Sequence, residues 1–479
     1  MHLILSVRDP DEQEWRVFQL NVENLHRLLN TGIITSNRTP VTSFTHDSRS
    51  VSDGAAFVAL PGSKSHGAEF IADAFRNGAA CVITDDTQIS RSAPVWTDKV
   101  LRVPDAATAL SQIAHWNRQQ SDADLWAITG SVGKTTTRQM LFAVFSASAT
   151  GLQSPRNFNN ELGVPLSLTM LSDCHTFATL ELAAKRPGDI RQLCELSQPC
   201  AGIITRVAPC HLQSFGTLQQ ISATKQELAE SIPADGDLLL NADDPLVRPM
   251  SAATSARVHW FGCRAAPEHR MRLLSAEPEY CTISCGDDRF RLRAPRHLAP
   301  SAAAAIVAGR LRGLSAHAIR EGLEQFQPDV GRGQVIRSNG LAIIDESYNS
   351  SPASVAASIA SLQDWSPSRL ILVAGEMREL GKDSAMLHQQ QLEILLSARP
   401  DQLWLVGPLA AEQSAMAIRS GFPRQQLHAF TQVEEVMARL PATLRCEDVV
   451  WIKGSRSLQL EQLIPAIIEQ QSMTAKDAA

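Results

Sequence analysis

The chain has 479 residues, 44% of them hydrophobic and 20% charged, with a formal net charge of −6; at roughly 100–200 residues per domain it is too long for one core and points to about three, while its mild acidity excludes a general nucleic-acid surface. Nine cysteines, an odd number without paired C-x-x-C spacing, read as buried thiols of a reducing compartment. Leu3-Ile4-Leu5 is too short for a signal peptide and no apolar run approaches the ~20 residues of a membrane helix, so a cytoplasmic chain with no membrane insertion is expected.

A first unit is expected over residues 1–120. Thr45-His46-Asp47-Ser48-Arg49 leads into the apolar strand pattern Ala55–Leu60, followed by the turn Pro61–Gly67, a helix pattern at Ile71, Ala72, Ala74 and Phe75, and a second strand pattern at Ala80–Thr84. Ser48 and Arg49 beside the Gly62 turn suit a diphosphate-bearing ligand, whereas Arg49 taken alone reads as a surface ion pair.

The second unit, 121–328, opens on Asp124-Leu125-Trp126-Ala127-Ile128-Thr129 and the turn Gly130-Ser131-Val132-Gly133-Lys134-Thr135-Thr136, followed by the helical run Arg138–Phe145. A strand, a glycine turn, Lys-Thr and a helix make a phosphate loop in its shorter form, with Ile128 where a full loop has its first glycine. Turned-in amides and Lys134 suit the phosphates, Thr135 suits Mg²⁺, and the helix directs its positive end at the same spot. Asn157–Pro165 is a polar cluster containing Asn160 that reads, by itself, as a helix cap. Glu181 ends the strand Phe177–Leu180, His211 lies in the loop after strand Ala201–Thr205, and Lys225 lies on a helix. Singly each reads as structural or solvated; together beside a nucleotide site they read as a metal and phosphate cluster, with imidazole the unusual Mg²⁺ ligand. Strand Leu238–Leu240 ends in Asn241-Ala242-Asp243-Asp244, suited to a base or ribose, residues 255–295 read as a β-hairpin excursion, and Ser301–Ala308 as a core helix.

A third unit is expected over 329–479. Leu341–Glu346, Leu370–Ala374, Leu403–Val406 and Val449–Ile452 are apolar strands between helical stretches, predicting a parallel sheet covered on both faces. Polar loops follow their ends: Ser347-Tyr348-Asn349, Gly375-Glu376-Met377, and Lys453-Gly454-Ser455-Arg456. The expected fold class is therefore α/β with three domains.

The ordered series Asp-Ser-Arg, Gly-Ser-x-Gly-Lys-Thr-Thr-Thr, Asn157–Pro165, Glu181, His211-Leu212, Lys225, Asn241–Asp244 and Gly331-Arg332 resembles the Mur ligase family over nearly the whole chain. Asp345-x-x-Tyr348-Asn349, Gly375-Glu376-Met377-x-Glu379-Leu380-Gly381 and Lys453–Ser457 narrow the resemblance to the branch that joins D-alanyl-D-alanine to UDP-N-acetylmuramoyl-tripeptide. The resemblance implies an N-terminal UDP-binding α/β domain, a central P-loop ATPase-like parallel-sheet domain and a C-terminal Rossmann-like domain, with ATP and Mg²⁺ as cofactors, small-molecule substrates, no nucleic acid and a monomer. It implies an acyl phosphate formed from the tripeptide carboxylate and the γ-phosphate of ATP, then displaced by the amine. By the same resemblance Gly130, Ser131, Val132, Gly133, Lys134, Thr135 and Thr136 hold the nucleotide, and Thr135, Glu181, His211 and a carbamylated Lys225 hold metal. Asn160 supports the acyl phosphate, Arg332 reaches the phosphates, Asp345 holds ribose, Asn241 serves the base, Ser48 and Arg49 contact UDP, and Tyr348, Asn349 and Lys453 contact substrate.

The chain departs from the family pattern at four places. His297-Leu298-Ala299-Pro300-Ser301 stands where His-Asn-x-x-Asn is usual, Leu182-Ala183-Ala184-Lys185 where Met-Gly-Ala-Asn is usual, Arg206 replaces an asparagine, and His66-Gly67-Ala68 replaces Asp-Gly-His. Two other readings share these residues. The Asp-Ser-Arg unit and the Glu376–Gly381 loop argue against an amide ligase of other specificity, such as a folylpolyglutamate-type or secondary-metabolite ligase. Intact Lys134, Glu181, His211 and Lys225 argue against a non-catalytic UDP-peptide-binding regulator.

Overall fold

A computed structural model describes residues 20–62, 65–86, 98–155 and 157–477; Leu3-Ile4-Leu5, and Ser63-Lys64 of the first turn, lie outside them. The chain forms two compact units, one ending its leading stretch at Leu125 and taking in Thr150–Leu180 and Glu195–Gln198, the other holding Trp126–Ala149, Glu181–Cys194 and all from Pro199 on. In the first, β1 (Ser43–Thr45), β2 (Ala55–Ala59), β3 (Cys81–Thr84) and β4 (Val100–Arg102) form a parallel sheet in sequence order. Alternation along β2 sends Ala56 and Val58 against Ala106, Leu110 and Ile113 of one helix, and Phe57 and Ala59 against Ile71 and Ala74 of another. With both faces covered, every residue of β2 and β3 is buried.

Six strands form the central sheet: β5 (Asp124–Thr129), β6 (Gly151–Gln153), β7 (Phe177–Glu181), β8 (Ala201–Ile204), β9 (Asp237–Asn241) and β10 (Arg257–Phe261), in the order β10-β9-β8-β5-β7-β6. The order reverses at β5, so the crevice beyond its carboxyl end, flanked by the ends of β7 and β8, is where an open α/β sheet takes a ligand.

The stretch 255–295 differs from the expected hairpin. β10 is a parallel edge strand of the central sheet, drawn there by cross-strand charge: Arg257 donates to both oxygens of Asp237 at 2.9 Å, and His259 meets the same carboxylate at 2.8 Å. The antiparallel part begins later, as a three-stranded meander of β11 (Met271–Ala276), β12 (Cys281–Cys285) and β13 (Asp288–Leu292).

The last sheet contains β14 (Gln334–Ser338), β15 (Leu341–Glu346), β16 (Arg369–Gly375), β17 (Gln402–Val406), β18 (Leu427–Phe430) and β19 (Asp448–Lys453), ordered β14-β15-β19-β16-β17-β18. The four strands read from sequence lie at its centre and run parallel. The expectation of a wholly parallel sheet is corrected at one edge, because β14 pairs antiparallel with β15 through the two-residue turn Asn339-Gly340, whose φ values of 48° and 81° are those of a type I′ hairpin.

A Cβ at Gly340 would run into Cys446 Sγ, and the positive φ penalises any side chain besides. Gly340→Ala is expected to destabilise the fold by about 1–3 kcal/mol, measured as a lowered urea midpoint with unchanged slope; an unchanged midpoint would show that the hairpin adds nothing to global stability.

Candidate nucleotide and metal site

The helix Lys134–Ser146 begins at Gly133, which has φ 90° and offers no side-chain cap, and its first turn carries no acid. Its leading amides are thus left for an anion, at the positive end of the helix. The loop before it is fastened from the side. Ser131 N donates to Arg206 O at 2.6 Å, and Thr205 Oγ1 donates to Val132 O at 2.7 Å. Gly130 has φ 146°, and a Cβ there would collide with Thr205 Oγ1, so the loop closes this tightly only with glycine. Lys134 Nζ donates back to Gly130 O at 3.0 Å, across the space its own loop encloses.

Glu181 reaches the same place from the end of β7. Thr129 Oγ1 donates to Leu182 O at 2.8 Å, binding the ends of β5 and β7, and Thr135 Oγ1 donates to Glu181 Oε2 at 2.6 Å. Thr135 and Glu181 are 3% and 2% exposed, so this carboxylate is out of bulk water. Burial works to raise its pKa, but Lys134, Arg332, the Thr135 hydroxyl and Arg138 together reverse that and hold it below the usual range. Arg138 stands one turn after Lys134 on the same helix face, buried, and feels Glu181, Asp329 and Arg332. It was missed in the sequence, although the i, i+4 spacing from Lys134 was the available signal.

Lys225 is on the apolar stripe Ile221, Thr224, Lys225, Leu228 of the helix Leu218–Ser231, where a leucine would ordinarily pack. Burial first, then the charge of Lys134, pulls its pKa down to about 8. His211 holds a left-handed backbone, φ 50°, ahead of the short helix Leu212–Phe215. Its pKa is lowered by burial, and it lies within electrostatic range of Lys134 and Lys225. Its Nδ1 contacts Glu379, itself at φ 62°, whose carbonyl accepts from Gln213 N at 3.0 Å. The structure therefore brings together Lys134, Thr135, Glu181, Lys225 and Arg332, and occupies His211 with Glu379. Among the described residues no three His, Cys, Asp or Glu side chains form a ligand set. The oxygen pair of Thr135 and Glu181 nevertheless fits a hard cation, which takes oxygen donors and little other protein help.

Several polar strand ends are spent within the fold rather than presented to a ligand. Asp345 is fully buried, with Oδ1 accepting from Ser347 Oγ at 2.6 Å and Oδ2 from Gly331 N at 2.8 Å. Asn241 donates to Thr205 O at 2.7 Å and accepts from Asp243 N at 2.9 Å, so its amide bridges β9 to the loop. Lys453 Nζ donates to Glu346 Oε2 at 2.8 Å inside the fold, while His297 and Ser358 approach the other oxygen at 3.2 and 2.6 Å. Burial works to raise the Glu346 carboxyl, but Lys453 and His297 more than reverse it. Tyr348 lies under the Arg332 guanidinium, 4.0 Å from ring centroid, and exposed Asn349 accepts from Ser350 N. In the first unit Asn160 Oδ1 accepts from Gly163 N at 2.9 Å at the start of the helix Gly163–Leu168, and exposed Arg49 lies on the Asp47 carboxylate next to Ser48.

Two outcomes are expected from this geometry. With its pKa at about 8, Lys225 is about half neutral at pH 8, against well under one per cent for an ordinary lysine. Its labelling by cyanate, followed by mass spectrometry, rises through pH 7–9 and flattens where surface lysines are still climbing; a profile parallel to theirs would disprove the depressed pKa. Lys453→Met leaves Glu346 buried without its cation and is expected to cost about 3–5 kcal/mol in chemical denaturation, a loss that a substrate-facing lysine would not produce.

Three family models tile the chain: Mur ligase family, catalytic domain, over residues 40–118, Mur ligase middle domain over 128–291, and Mur ligase, glutamate ligase domain, over 331–456. The chain is 28% identical over 430 residues to the UDP-N-acetylmuramoyl-tripeptide--D-alanyl-D-alanine ligase of Bacillus subtilis, covering 88% of this chain and 92% of that one. It is 29% identical over 440 residues to the ligase of the same name from Escherichia coli, covering 89% and 93%. A crystal structure of MurF from Acinetobacter baumannii superposes with a TM-score of 0.81 at 27% identity, over 94% of this chain and 99% of that one. With its phosphate loop, Glu181 and Lys225 assembled on the middle one of three consecutive family domains, the chain belongs to the Mur ligase family.

Proposed function

We propose that the chain is an ATP-dependent amide ligase that adds D-alanyl-D-alanine to UDP-N-acetylmuramoyl-tripeptide, completing a cytoplasmic peptidoglycan precursor and acting as a monomer, with domains over 1–120, 121–328 and 329–479. The observation that carries the nucleotide chemistry is the charge arrangement at the carboxyl ends of β5 and β7. Lys134, Arg138 and Arg332 all act on one buried carboxylate, Glu181, which is hydrogen-bonded to Thr135 under an uncapped helix start. Such a cationic excess suits a triphosphate, and the names borne by relatives of near-equal length direct the acceptor choice.

Carboxylate and triphosphate repel, so their meeting requires positive charge fixed in advance. The leading helix amides and Lys134, released from Gly130 O, bind the phosphates. Thr135, Glu181 and carbamylated Lys225 would hold Mg²⁺, which when bound supplies charge neutralisation at the phosphates. The tripeptide carboxylate oxygen attacks the γ-phosphorus, the bond to the β-phosphate oxygen breaks, and ADP leaves. The free amine of D-alanyl-D-alanine then attacks the acyl carbon, loses a proton, and expels inorganic phosphate as the amide forms. Arg332 neutralises charge beside Glu181, and Ser48 with Arg49, once released from Asp47, takes the UDP end.

With ATP, UDP-N-acetylmuramoyl-tripeptide and D-alanyl-D-alanine, the purified chain is expected to release phosphate, and Lys225→Ala to lose at least about 10²-fold in kcat with no rescue by bicarbonate. Full activity in that variant removes the carbamate role. Absence of phosphate release by the parent chain removes the ligase reading, and release only with other acceptors reassigns the substrate.

A further inference from the structure

Arg206 is a cation for which the fold has no use. Its neighbours are fixed: Asn241 Nδ2 donates to Thr205 O at 2.7 Å, and Val207 N donates to Asp244 Oδ2 at 2.8 Å. Its own backbone lies against the phosphate loop, accepting from Ser131 N at 2.6 Å and standing 3.1 Å from where a Cβ on Gly130 would be. The side chain is exposed, and among the described residues it has no ion pair or hydrogen bond. A guanidinium rooted beside the loop, at the end of the strand next to β5, starts from the right place to fork onto phosphate oxygens.

We infer that Arg206 is a phosphate-binding residue of this chain, directed at the terminal phosphate of a nucleoside triphosphate from the β8 side of the loop, opposite Glu181 on the β7 side. The inference rests on the ligase reading above and adds a contact to it. Lys185, four residues past Glu181, is also exposed and without an ion pair among the described residues, but it follows β7 and none of its recorded contacts touches the loop. It is the control for a general electrostatic field.

The test is calorimetric titration of the full chain with ADP and with a non-hydrolysable ATP analogue, for the parent chain, Arg206→Gln, Arg206→Lys and Lys185→Gln. Loss of one charge-assisted fork is expected to weaken the triphosphate analogue about 10- to 100-fold in Arg206→Gln, with ADP held within about threefold, partial recovery in Arg206→Lys, and Lys185→Gln within about threefold for both ligands. Unchanged analogue affinity in Arg206→Gln overturns the inference. Equal losses for ADP and analogue overturn the terminal-phosphate assignment, and an equal loss in Lys185→Gln replaces the contact with a general field. A parent chain that binds neither nucleotide overturns the ligase reading together with this one, so the two failures are distinguishable. Because the side chain is exposed, the thermal midpoint of Arg206→Gln should match the parent, excluding misfolding as the cause.

Discussion

A single buried carboxylate held among cations organises the middle of this protein. Glu181 is nearly inaccessible, and a carboxyl in that position would ordinarily take up a proton; Lys134, Arg332 and Arg138 keep it ionised. The reverse also holds, because Lys225 and Arg138 each lie in range of the same carboxylate. Asp329 acts on Arg138 and Glu227 on Lys225, while Lys134 stands at the helix start that has no side-chain cap. Attraction of this kind grows as water is excluded, so the cations at the loop gain most when a polyanion fills it.

The sheet makes this possible. Parallel strands deliver their carboxyl ends to one edge, and the reversal of order at β5 opens a gap there between β7 and β8. Glu181, Thr205 and the loop Gly130–Thr136 all arrive at that edge as consequences of strand length and order. The hydrogen bonds fixing them are mostly backbone to side chain, such as Thr205 Oγ1 to Val132 O and Thr129 Oγ1 to Leu182 O. The loop is thus shaped before any ligand arrives, which lowers the ordering cost of binding.

How much of this was legible in the sequence depended on the kind of signal. The phosphate loop, Glu181 and Lys225 were readable because each lay in a recognisable local context of strand, turn or helix, and the apolar strands of both large sheets announced themselves by composition. Asp345, Asn241 and Lys453 were read from sequence as ligand contacts, and in the structure each bonds to the chain's own groups, because a polar residue at a strand end can satisfy the chain's own turn as well as a ligand. Ser347, Gly331 and Thr205, the partners that decide between these outcomes, are named by nothing in the local pattern. Arg138 was hidden by the apolar helix around it. The antiparallel edge strand β14 was within reach, since Asn-Gly between apolar stretches is a strong short-range hairpin signal, whereas the parallel placement of β10 depended on a cross-strand Arg257–Asp237 pair that only the register reveals.

The departures from the family pattern fall into a consistent physical picture. Where the resemblance sets an asparagine toward adenine, Leu298 packs beside Gly333, and Ser301 accepts a hydrogen bond from Thr137 of the phosphate-loop helix at 2.9 Å. Those two positions therefore serve packing and helix-to-helix contact, and the Asn241 amide bonds to Thr205 and Asp243. Arg206, whose backbone lies against the loop, adds an exposed cation on the β8 side. Hydrogen bonds to a base discriminate between nucleotides but contribute modestly to net affinity, whereas charge-assisted bonds to phosphate are roughly twice as strong. With Arg206 assigned to phosphate, a site that exchanges the former for the latter is expected to keep its hold on a nucleotide through the phosphates.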